Sequence, residues 1–193
     1  MVLGLAGKYC AGKNLAATIL KEQGYSIIDV DALGHEALAA CREAIVSRFG
    51  ADILSSAGDI DRKKLGTRVF GDPEELAALE SLVHPWMIQQ VETRLLEKDP
   101  SDRMVINAAL LFPLGFDSLC QAVIWVRSPF FLRFFRALRR DKLKLKDIIR
   151  RFRSQRKLSP QSPGNHVDIY YIDNTRGPEK VHRDLCRVLA RLY

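Results

Sequence analysis

The sequence predicts an α/β fold in which a parallel β-sheet is flanked by helices. Short apolar segments alternate with longer amphipathic ones, and the short segments lack the polar alternation of a strand with one solvent-facing side. A glycine-rich turn follows the first apolar segment and precedes a helical pattern. Residues from about 31 to 98 are almost entirely helical in pattern, so we expect a helical lobe inserted into the sheet-based core.

Five segments are predicted as strands because each is short, apolar and bounded by turn-forming or charged residues. They cover residues 2–6, 25–30, 104–107, 122–126 and 169–172. Helices are predicted at 15–23, at 32–49, at 129–156 with a break near Asp141, and after Gly177-Pro178. Because the strands are separated by helical segments, their connections are crossovers and the predicted sheet is parallel.

Within the predicted lobe, turn-forming residues and prolines set the expected boundaries. Gly58-Asp59 is typical of a turn, and Asp72-Pro73 followed by Glu75 is typical of a helix start. Proline lacks the N–H that a helix interior uses, so His84-Pro85 is expected to interrupt this helix. A second helix is then expected to run to about Lys98.

Length and composition exclude several classes of protein. A chain of 193 residues with 47% hydrophobic and 27% charged residues has the composition of one globular domain, not of a disordered chain. The longest apolar runs are about five residues, too short to cross a membrane. Four scattered cysteines without a C-x-x-C pair suggest neither a disulfide framework nor a zinc site. We expect a cytoplasmic enzyme or binding protein.

Positive charge is concentrated in one segment. Residues 133–157 contain twelve Lys or Arg and two Asp, so they carry +10, whereas the whole chain carries +7 and the remainder therefore −3. Such a segment binds phosphates, nucleic acid or an anionic membrane, or forms a solvated helix face. Charge alone does not choose among these.

The glycine-rich turn is the strongest local motif. Residues 7–14 carry the G-x-x-x-x-G-K frame of a P-loop, placed after a predicted strand and before a predicted helix. Its glycines let backbone N–H groups turn inward around phosphate oxygens, and the helix N-terminus adds positive potential. Lys13 is expected to reach the β and γ phosphates of a nucleotide.

Asn14 departs from this motif, in which the residue after the lysine is Ser or Thr and its hydroxyl binds Mg²⁺. An amide oxygen can also bind Mg²⁺ or hold a metal-bound water, but its side chain is longer. Asn14 is therefore a doubtful metal ligand in a loop that still fits phosphate.

Two acids, Asp29 and Asp31, end the second predicted strand and are expected on one face of it. At the carboxyl edge of a parallel sheet, such acids point into the ligand crevice. Either could accept a proton from an attacking hydroxyl or hold Mg²⁺. Asp31 could equally be only the N-cap of the next helix.

Motifs in order along the whole chain resemble the dephospho-CoA kinase family. After the P-loop they are I-I-D-V-D-A-L-G-H (27–35), G-D-I-D-R-K-K-L (58–65), V-F-G-D-P (69–73), L-V-H-P (82–85), A-L-L-F (109–112), R-A-L-R-R-D (136–141), S-Q (154–155) and V-D-I-Y-Y-I-D-N (167–174). The resemblance implies an ATP-dependent kinase that phosphorylates the ribose 3′-hydroxyl of dephospho-CoA and uses Mg²⁺. It also implies a P-loop core at 1–30 and 99–193 with a basic lid at about 138–157, and a CoA-binding lobe at 31–98.

The resemblance also implies site residues. Asp31 would be the base for the 3′-hydroxyl, and Lys13 and Arg140 would neutralise the transferring phosphates. The implied nucleotide-binding residues are Gly7, Lys8, Tyr9, Cys10, Ala11, Gly12, Lys13, Asn14, Leu15, Arg136, Arg140 and Asn174, the last near adenine. The implied acceptor-binding residues are Asp31, His35, Arg62, His84 and Leu110. From position alone, Arg62 and His84 could instead only begin or cap helices.

The chain departs from the family pattern in two further places. Where the family usually carries D-x-P-L-L-F-E, residues 107–113 read N-A-A-L-L-F-P, without the acid, the proline and the glutamate. The P-loop interior contains the bulkier Lys8, Tyr9 and Cys10. With Asn14, these changes leave few protein oxygens for Mg²⁺, so the metal would be carried mainly by ATP and water, or activity would be reduced.

Three functional alternatives to the kinase remain at this point. One is another small-molecule P-loop kinase, and a second is a degenerate P-loop protein that binds CoA or nucleotide with little turnover. A third is nucleic-acid binding through the basic segment, which the absence of an aromatic RNA-binding motif disfavours. We expect a small-molecule substrate, no membrane association, and a monomer or weak homo-oligomer.

Overall fold

The structure is a computed structural model that describes residues 1–99, 101–140, 145–156, 158–160 and 167–192. The chain divides into two compact units. The core unit comprises Met1–Asp29 and Asp99–Tyr193, and the helical unit comprises Val30–Lys98. None of the helices in the described ranges is both long enough and apolar enough to cross a membrane.

The core unit is built on a sheet of five described strands that pair in parallel. They are β1 (Val2–Gly7), β2 (Ser26–Asp29), β3 (Met104–Asn107), β4 (Ala122–Arg127) and β5 (Asp168–Asp173), in the spatial order β2-β3-β1-β4-β5. The central strands are almost wholly buried, as expected for strands covered by helices on both faces. The parallel α/β fold predicted from the sequence is confirmed.

Eight helices lie in the described residues. They are α1 (Lys13–Glu22), α2 (Val30–Ala40), α3 (Arg42–Phe49), α4 (Arg62–Val69), α5 (Pro73–Leu96), α6 (Phe130–Arg140), α7 (Leu145–Ser154) and α8 (Pro178–Leu192). In the core unit, α1 and α8 pack on the sheet through apolar side chains that include Leu20 and Leu185, which lie in one buried cluster with Leu3 and Ile124. This packing fixes the start of α1 at the carboxyl edge of β1.

The helical unit contains α2 to α5 and is closed by its own buried side chains, among them Ile45, Phe49 and Val69. Asp61 and Asp72 cap α4 and α5, each by accepting backbone N–H groups of the following turn. The helix start predicted at Asp72-Pro73 is therefore confirmed.

Three predicted boundaries are wrong. The second strand ends at Asp29 and α2 begins at Val30, so Asp31 lies in a helical turn and does not share a strand face with Asp29. The single helix predicted at 32–49 is two helices separated at Cys41. The first helix begins at Lys13, two residues before the predicted start.

The break predicted at His84-Pro85 is also wrong, because α5 runs through Pro85 to Leu96. Val83, Met87 and Val91 lie four residues apart along α5 and are all buried. Their packing supplies the stabilisation that a proline-interrupted helix would lack on its own. The break predicted near Asp141 lies outside the described residues.

Candidate active site

The loop at residues 7–14 joins β1 to α1 and has the backbone of a phosphate-binding turn. Gly12 is the residue before α1 and has φ 103°, a conformation that favours glycine. The first turn of α1 contains no acid, and Gly12 has no side chain with which to cap it. The positive end of the α1 dipole therefore faces the loop, where it favours an anion.

Lys13 is the first residue of α1 and is buried, with only 8% of its surface exposed. A lysine held at the N-terminus of a helix adds its charge to the positive end of the helix dipole. This concentrates positive charge where the motif predicts the β and γ phosphates. Asn14, the next residue, is exposed.

Asn174 holds the second half of the loop in place. Its Nδ2 donates to the Ala11 carbonyl at 2.9 Å, and its Oδ1 accepts from Arg136 at 3.3 Å. Arg136 also donates to the Asn174 carbonyl at 2.9 Å and to the Ser128 hydroxyl at 3.1 Å. Asn174 is 4% exposed, and its side-chain amide is hydrogen-bonded to Ala11 and Arg136. Its predicted place near adenine stays a prediction.

Gly12 is required by the same arrangement. An added Cβ at Gly12 would lie 2.0 Å from Asn174 Nδ2, and at Gly7 it would lie 2.7 Å from the Val126 carbonyl oxygen. Both distances are far below van der Waals contact. The two glycines of the motif are thus fixed by close neighbours as well as by the loop conformation.

The first half of the loop contacts the basic helices α6 and α7. Arg133 donates to the Tyr9 carbonyl at 3.3 Å, and Gln155 accepts from the Tyr9 N–H. The Tyr9 ring meets the Phe152 ring edge-on, with centroids 5.2 Å apart. The guanidinium carbon of Arg140 lies 5.6 Å from the centroid of the Tyr9 ring. Tyr9 therefore ties the loop to both helices.

Cys10 has the only positive φ, 59°, among the described non-glycine residues. This left-handed conformation costs a residue with a side chain roughly 1–2 kcal/mol. The Cys10 side chain is buried in a cluster with Ala137 of α6 and Ile148 of α7. Packing therefore holds Cys10 in a conformation that glycine would adopt without strain.

Asn107 ends β3 and pairs in register with Asp29 of β2 and Leu5 of β1. It is 2% exposed, and its Oδ1 has no hydrogen-bond partner among the described residues. A buried amide oxygen without a donor is costly, which marks this sheet edge as a place where a ligand or water completes the structure. Leu110, predicted to bind the acceptor, is half-buried in the turn that follows.

The other predicted acceptor residues belong to the helical unit. Asp31 and His35 are exposed one turn apart on α2, and Arg62 is exposed at the start of α4. His84 is half-buried within α5, where burial lowers its pKa and the nearby Glu80 partly opposes this. Because His84 lies inside a helix, its alternative role as a helix cap is wrong. The acceptor-binding roles stay predictions.

The structure brings together most of the predicted nucleotide-binding residues in the core unit. Residues that the sequence reasoning did not single out are Phe130, Arg133, Phe134 and Phe152, together with Asn107 as an unpartnered acceptor. The phenylalanines stand at 130, 134 and 152 within a strongly basic segment. That mixture of aromatic and basic residues is the signal that could have pointed to them.

Comparisons with known proteins show which family the chain resembles. Residues 1–176 match the sequence model of the dephospho-CoA kinase family. The dephospho-CoA kinase of Treponema denticola is 30% identical over 99% of this chain and 90% of that protein, and that of Lactobacillus johnsonii is 33% identical over 98% of both.

Solved structures share the fold. The crystal structure of TT1252 from Thermus thermophilus has a TM-score of 0.79 and 28% identity, covering 100% of this chain and 98% of that one. The dephospho-CoA kinase from Campylobacter jejuni has a TM-score of 0.66 and 24% identity, covering 99% and 96%. With the family match over most of its length, this chain belongs to the dephospho-CoA kinase family.

Proposed function

We propose that this protein transfers the γ-phosphoryl group of ATP to the ribose 3′-hydroxyl of dephospho-CoA, giving coenzyme A. The observation that carries the proposal is the buried Lys13 at the open N-terminus of α1, in a chain of this family. Both features favour a nucleoside triphosphate whose terminal phosphates lie against the loop.

Catalysis by this site would consist mainly of positioning and charge neutralisation. The N-terminus of α1 and its dipole would orient the phosphates, and Lys13 would neutralise charge on the group in transfer. Arg140 extends from the end of α6 beside Tyr9 of the loop, which supports its proposed role at the same phosphates.

Asp31 is the proposed general base. Its exposed carboxylate in the first turn of α2 is able to accept a proton, and it matches the second acid of the family's D-x-D motif. The base would take the proton of the 3′-hydroxyl as that oxygen attacks the γ-phosphorus. His35, Arg62, His84 and Leu110 are proposed acceptor-binding residues on the same grounds of motif position.

The residues of the core unit fit a Mg²⁺ that is held chiefly by the triphosphate and water. Among the described residues, no group of three His, Cys, Asp or Glu could hold a metal alone. The unpartnered Asn107 Oδ1 is an acceptor suited to a metal-bound water, and Asn14 supplies a second amide oxygen. Mg²⁺ would add charge stabilisation to the transferring phosphoryl group.

A second candidate function is supported by the same Asn107. An amide stands where the family usually carries an acid, so negative charge that would hold a metal is missing at a buried position. A protein of this kind would bind ATP and CoA but turn over slowly.

We also propose that the protein acts in the cytoplasm as a monomer or weak homo-oligomer, without nucleic acid.

Mass analysis of dephospho-CoA after incubation with ATP, Mg²⁺ and the protein tests the proposal. The expected product is heavier by one phosphoryl group, and phosphorus NMR should place that group on the 3′-oxygen. AMP, shikimate and gluconate serve as comparison acceptors. Turnover of one of these in place of dephospho-CoA would indicate another small-molecule kinase, and binding without product would favour the second candidate.

Asp31→Asn refines the test. Loss of the base should lower kcat by about 10²-fold or more, with the KM for ATP little changed. Normal turnover with a lower melting temperature would instead mean that Asp31 only stabilises the start of α2.

A further inference from the structure

Two short helices carry most of the exposed large apolar side chains in the described part of the chain. Six of these nine side chains lie on α6 and α7, and the other three are scattered. Single exposed apolar residues are ordinary on a protein surface, whereas a cluster of them marks a place of interaction. The six are Phe130, Phe131, Phe135, Leu138, Leu145 and Ile149.

Three of these side chains form an apolar stripe along α6. Phe131, Phe135 and Leu138 follow one another at helical spacing, so they lie on one face of the helix. They are 58%, 59% and 44% exposed, respectively. The apolar stripe is therefore a convex ridge on the surface of the protein.

The opposite face of α6 is cationic and is turned toward the protein. Arg133 donates to the Tyr9 carbonyl at 3.3 Å, and Arg136 donates to the Asn174 carbonyl at 2.9 Å. Ala137, which follows Arg136, is fully buried. An amphipathic surface helix normally turns its apolar face to the core. In α6 the arginines are used at the phosphate-binding loop, and the apolar stripe is consequently left outside.

The same two helices carry a large excess of positive charge. The described residues from 130 to 156 include nine Lys or Arg and one acid, Asp147, which pairs with Arg150 at 2.9 Å. Arg139 of α6, and Lys146 and Arg153 of α7, are exposed. Phenylalanine beside lysine and arginine is complementary to a partner that is anionic at its surface and apolar beneath. An anionic lipid bilayer has this chemistry.

A second copy of the chain is a poorer occupant of the apolar stripe. Pairing through this face would bring two strongly cationic segments together, and like charges at short distance oppose association. A folded protein partner would need an acidic groove shaped to receive a convex helix. A bilayer needs no such shape, because a helix can sink its apolar face into the boundary between headgroups and acyl chains.

We propose that α6 and α7 form a peripheral membrane-binding surface, in which the apolar stripe enters the headgroup region of an anionic bilayer and the exposed cations contact lipid phosphates. Short apolar runs exclude a membrane span, but a helix that lies in the plane of a membrane needs an apolar face and no long run. The proposal replaces the expectation of no membrane association. It is independent of the proposed function, because the apolar stripe faces away from the phosphate-binding loop.

Co-sedimentation of the full chain with lipid vesicles tests the apolar stripe. We expect binding to vesicles of equal parts phosphatidylglycerol and phosphatidylcholine to be at least about tenfold tighter than to phosphatidylcholine alone. Phe131→Gln, Phe135→Gln should weaken binding to the anionic vesicles about tenfold. Phe70→Gln, Leu96→Gln is the matched control, since it removes two exposed apolar side chains from the helical unit. Absence of wild-type binding, or equal losses in the two variants, would overturn the proposal.

The cations are tested in the same assay. Arg139→Gln, Lys146→Gln should weaken binding to the anionic vesicles about tenfold, because each cation near an anionic surface contributes to binding. Arg183→Gln, Arg191→Gln removes the same charge from exposed positions of α8 and should have a much smaller effect. Equal losses in the two pairs would mean that only the overall charge of the protein attracts the vesicles, and would overturn the proposal.

A tryptophan in the apolar stripe distinguishes insertion from contact at the surface. In Phe135→Trp, brominated lipids in the anionic vesicles should quench fluorescence more than in the wild type, and in Phe70→Trp they should not. Circular dichroism should be unchanged in every variant, because the altered side chains are exposed. Lack of added quenching in a folded Phe135→Trp would overturn the proposal. A dimer that Phe131→Gln, Phe135→Gln converts to a monomer would identify a second copy as the occupant and would also overturn it.

Discussion

The two halves of the phosphate-binding loop are held in different ways. The inner half, residues 11–14, consists of small or helix-starting residues and is held by Asn174 and the start of α1. The outer half, residues 8–10, is bulky and is held by side chains of α6 and α7. One half obtains its shape from glycine and a backbone contact, the other from packing.

This difference explains how the loop accommodates its unusual residues. Gly12 cannot be replaced without meeting Asn174, whereas Cys10 occupies a left-handed conformation with its side chain buried. Bulk is thus tolerated only where neighbouring helices supply a cavity for it. The motif therefore constrains the two halves unequally, and a substitution in one half should leave the other half intact.

The largest effect is expected for Lys13→Met in the inner half. Removing its charge should reduce phosphoryl transfer by at least about 10³-fold, since a preorganised donor contributes several kcal/mol in the transition state. Lys21→Met, in the last turn of the same helix, is the matched control and should be near wild type. Turnover above a tenth of the wild-type rate in Lys13→Met would contradict the assignment of this loop.

Gly12→Ala should have the next largest effect. The new methyl group would meet Asn174, and the backbone at φ 103° would be strained, so we expect at least about 2 kcal/mol of destabilisation together with weaker ATP binding. Gly24→Ala separates the two causes, because Gly24 has φ 87° and open space around it. Urea unfolding should show a cost of only about 1 kcal/mol there. Equal costs would mean that the contact with Asn174 is unimportant.

Arg140→Ala tests the side chain that lies over Tyr9 of the outer half. We expect kcat/KM for ATP to fall about tenfold to a hundredfold, because a guanidinium that neutralises phosphate would be lost. Arg139→Ala removes a neighbouring exposed charge from the same helix end and should change kcat/KM less than twofold. Similar losses in the two variants would mean that the basic segment acts only through its overall field.

Asn14→Thr should have a moderate effect, and it tests whether Asn14 of the inner half is a weaker metal ligand than the hydroxyl of the motif. Threonine restores the hydroxyl of the motif, so we expect the apparent affinity for Mg²⁺ to rise a few-fold, with kcat unchanged or higher. Activity measured across a Mg²⁺ titration at saturating ATP checks this. A loss of activity with unchanged circular dichroism would instead identify Asn14 as a ligand adapted to the altered loop.

The smallest effect is expected for the pair Cys10→Gly and Cys10→Ala. Both variants lose the buried thiol, but only glycine relieves the strain of the left-handed backbone. In urea unfolding, the glycine variant should therefore be as stable as the alanine variant or more stable by up to about 1 kcal/mol. A clearly more stable alanine variant would show that the conformation of Cys10 is not strained. Turnover should change less than about threefold in either, since Lys13 and Asn174 are untouched.

The sequence was sufficient for the sheet and for the phosphate-binding loop because both depend on local pattern. The apolar strands and the spacing of Gly7, Gly12 and Lys13 are visible in single short windows. The roles of Tyr9 and Cys10 were not visible, since their partners in α6 and α7 lie more than 120 residues away. Bulk at those positions therefore suggested only a weakened motif.

Local rules also failed where tertiary packing dominates. Pro85 was expected to end a helix, but buried neighbours on both sides of it keep α5 continuous. Asp31 was placed on a strand because β2 and α2 follow each other without a turn residue between them. No sequence pattern indicates that the amide of Asn174 joins Ala11 to Arg136.

The strand order determines when β1 can pair with its neighbours during synthesis on the ribosome. β1 is translated first, yet its two neighbours in the sheet start at Met104 and Ala122. At ordinary elongation rates the ribosome needs about 5–25 seconds to add the intervening residues. Throughout that interval the apolar nascent strand has neither partner, whereas the helices between Val30 and Lys98 can already contact one another. A chaperone that shields exposed apolar segments would therefore encounter the phosphate-binding strand before any other part of the sheet.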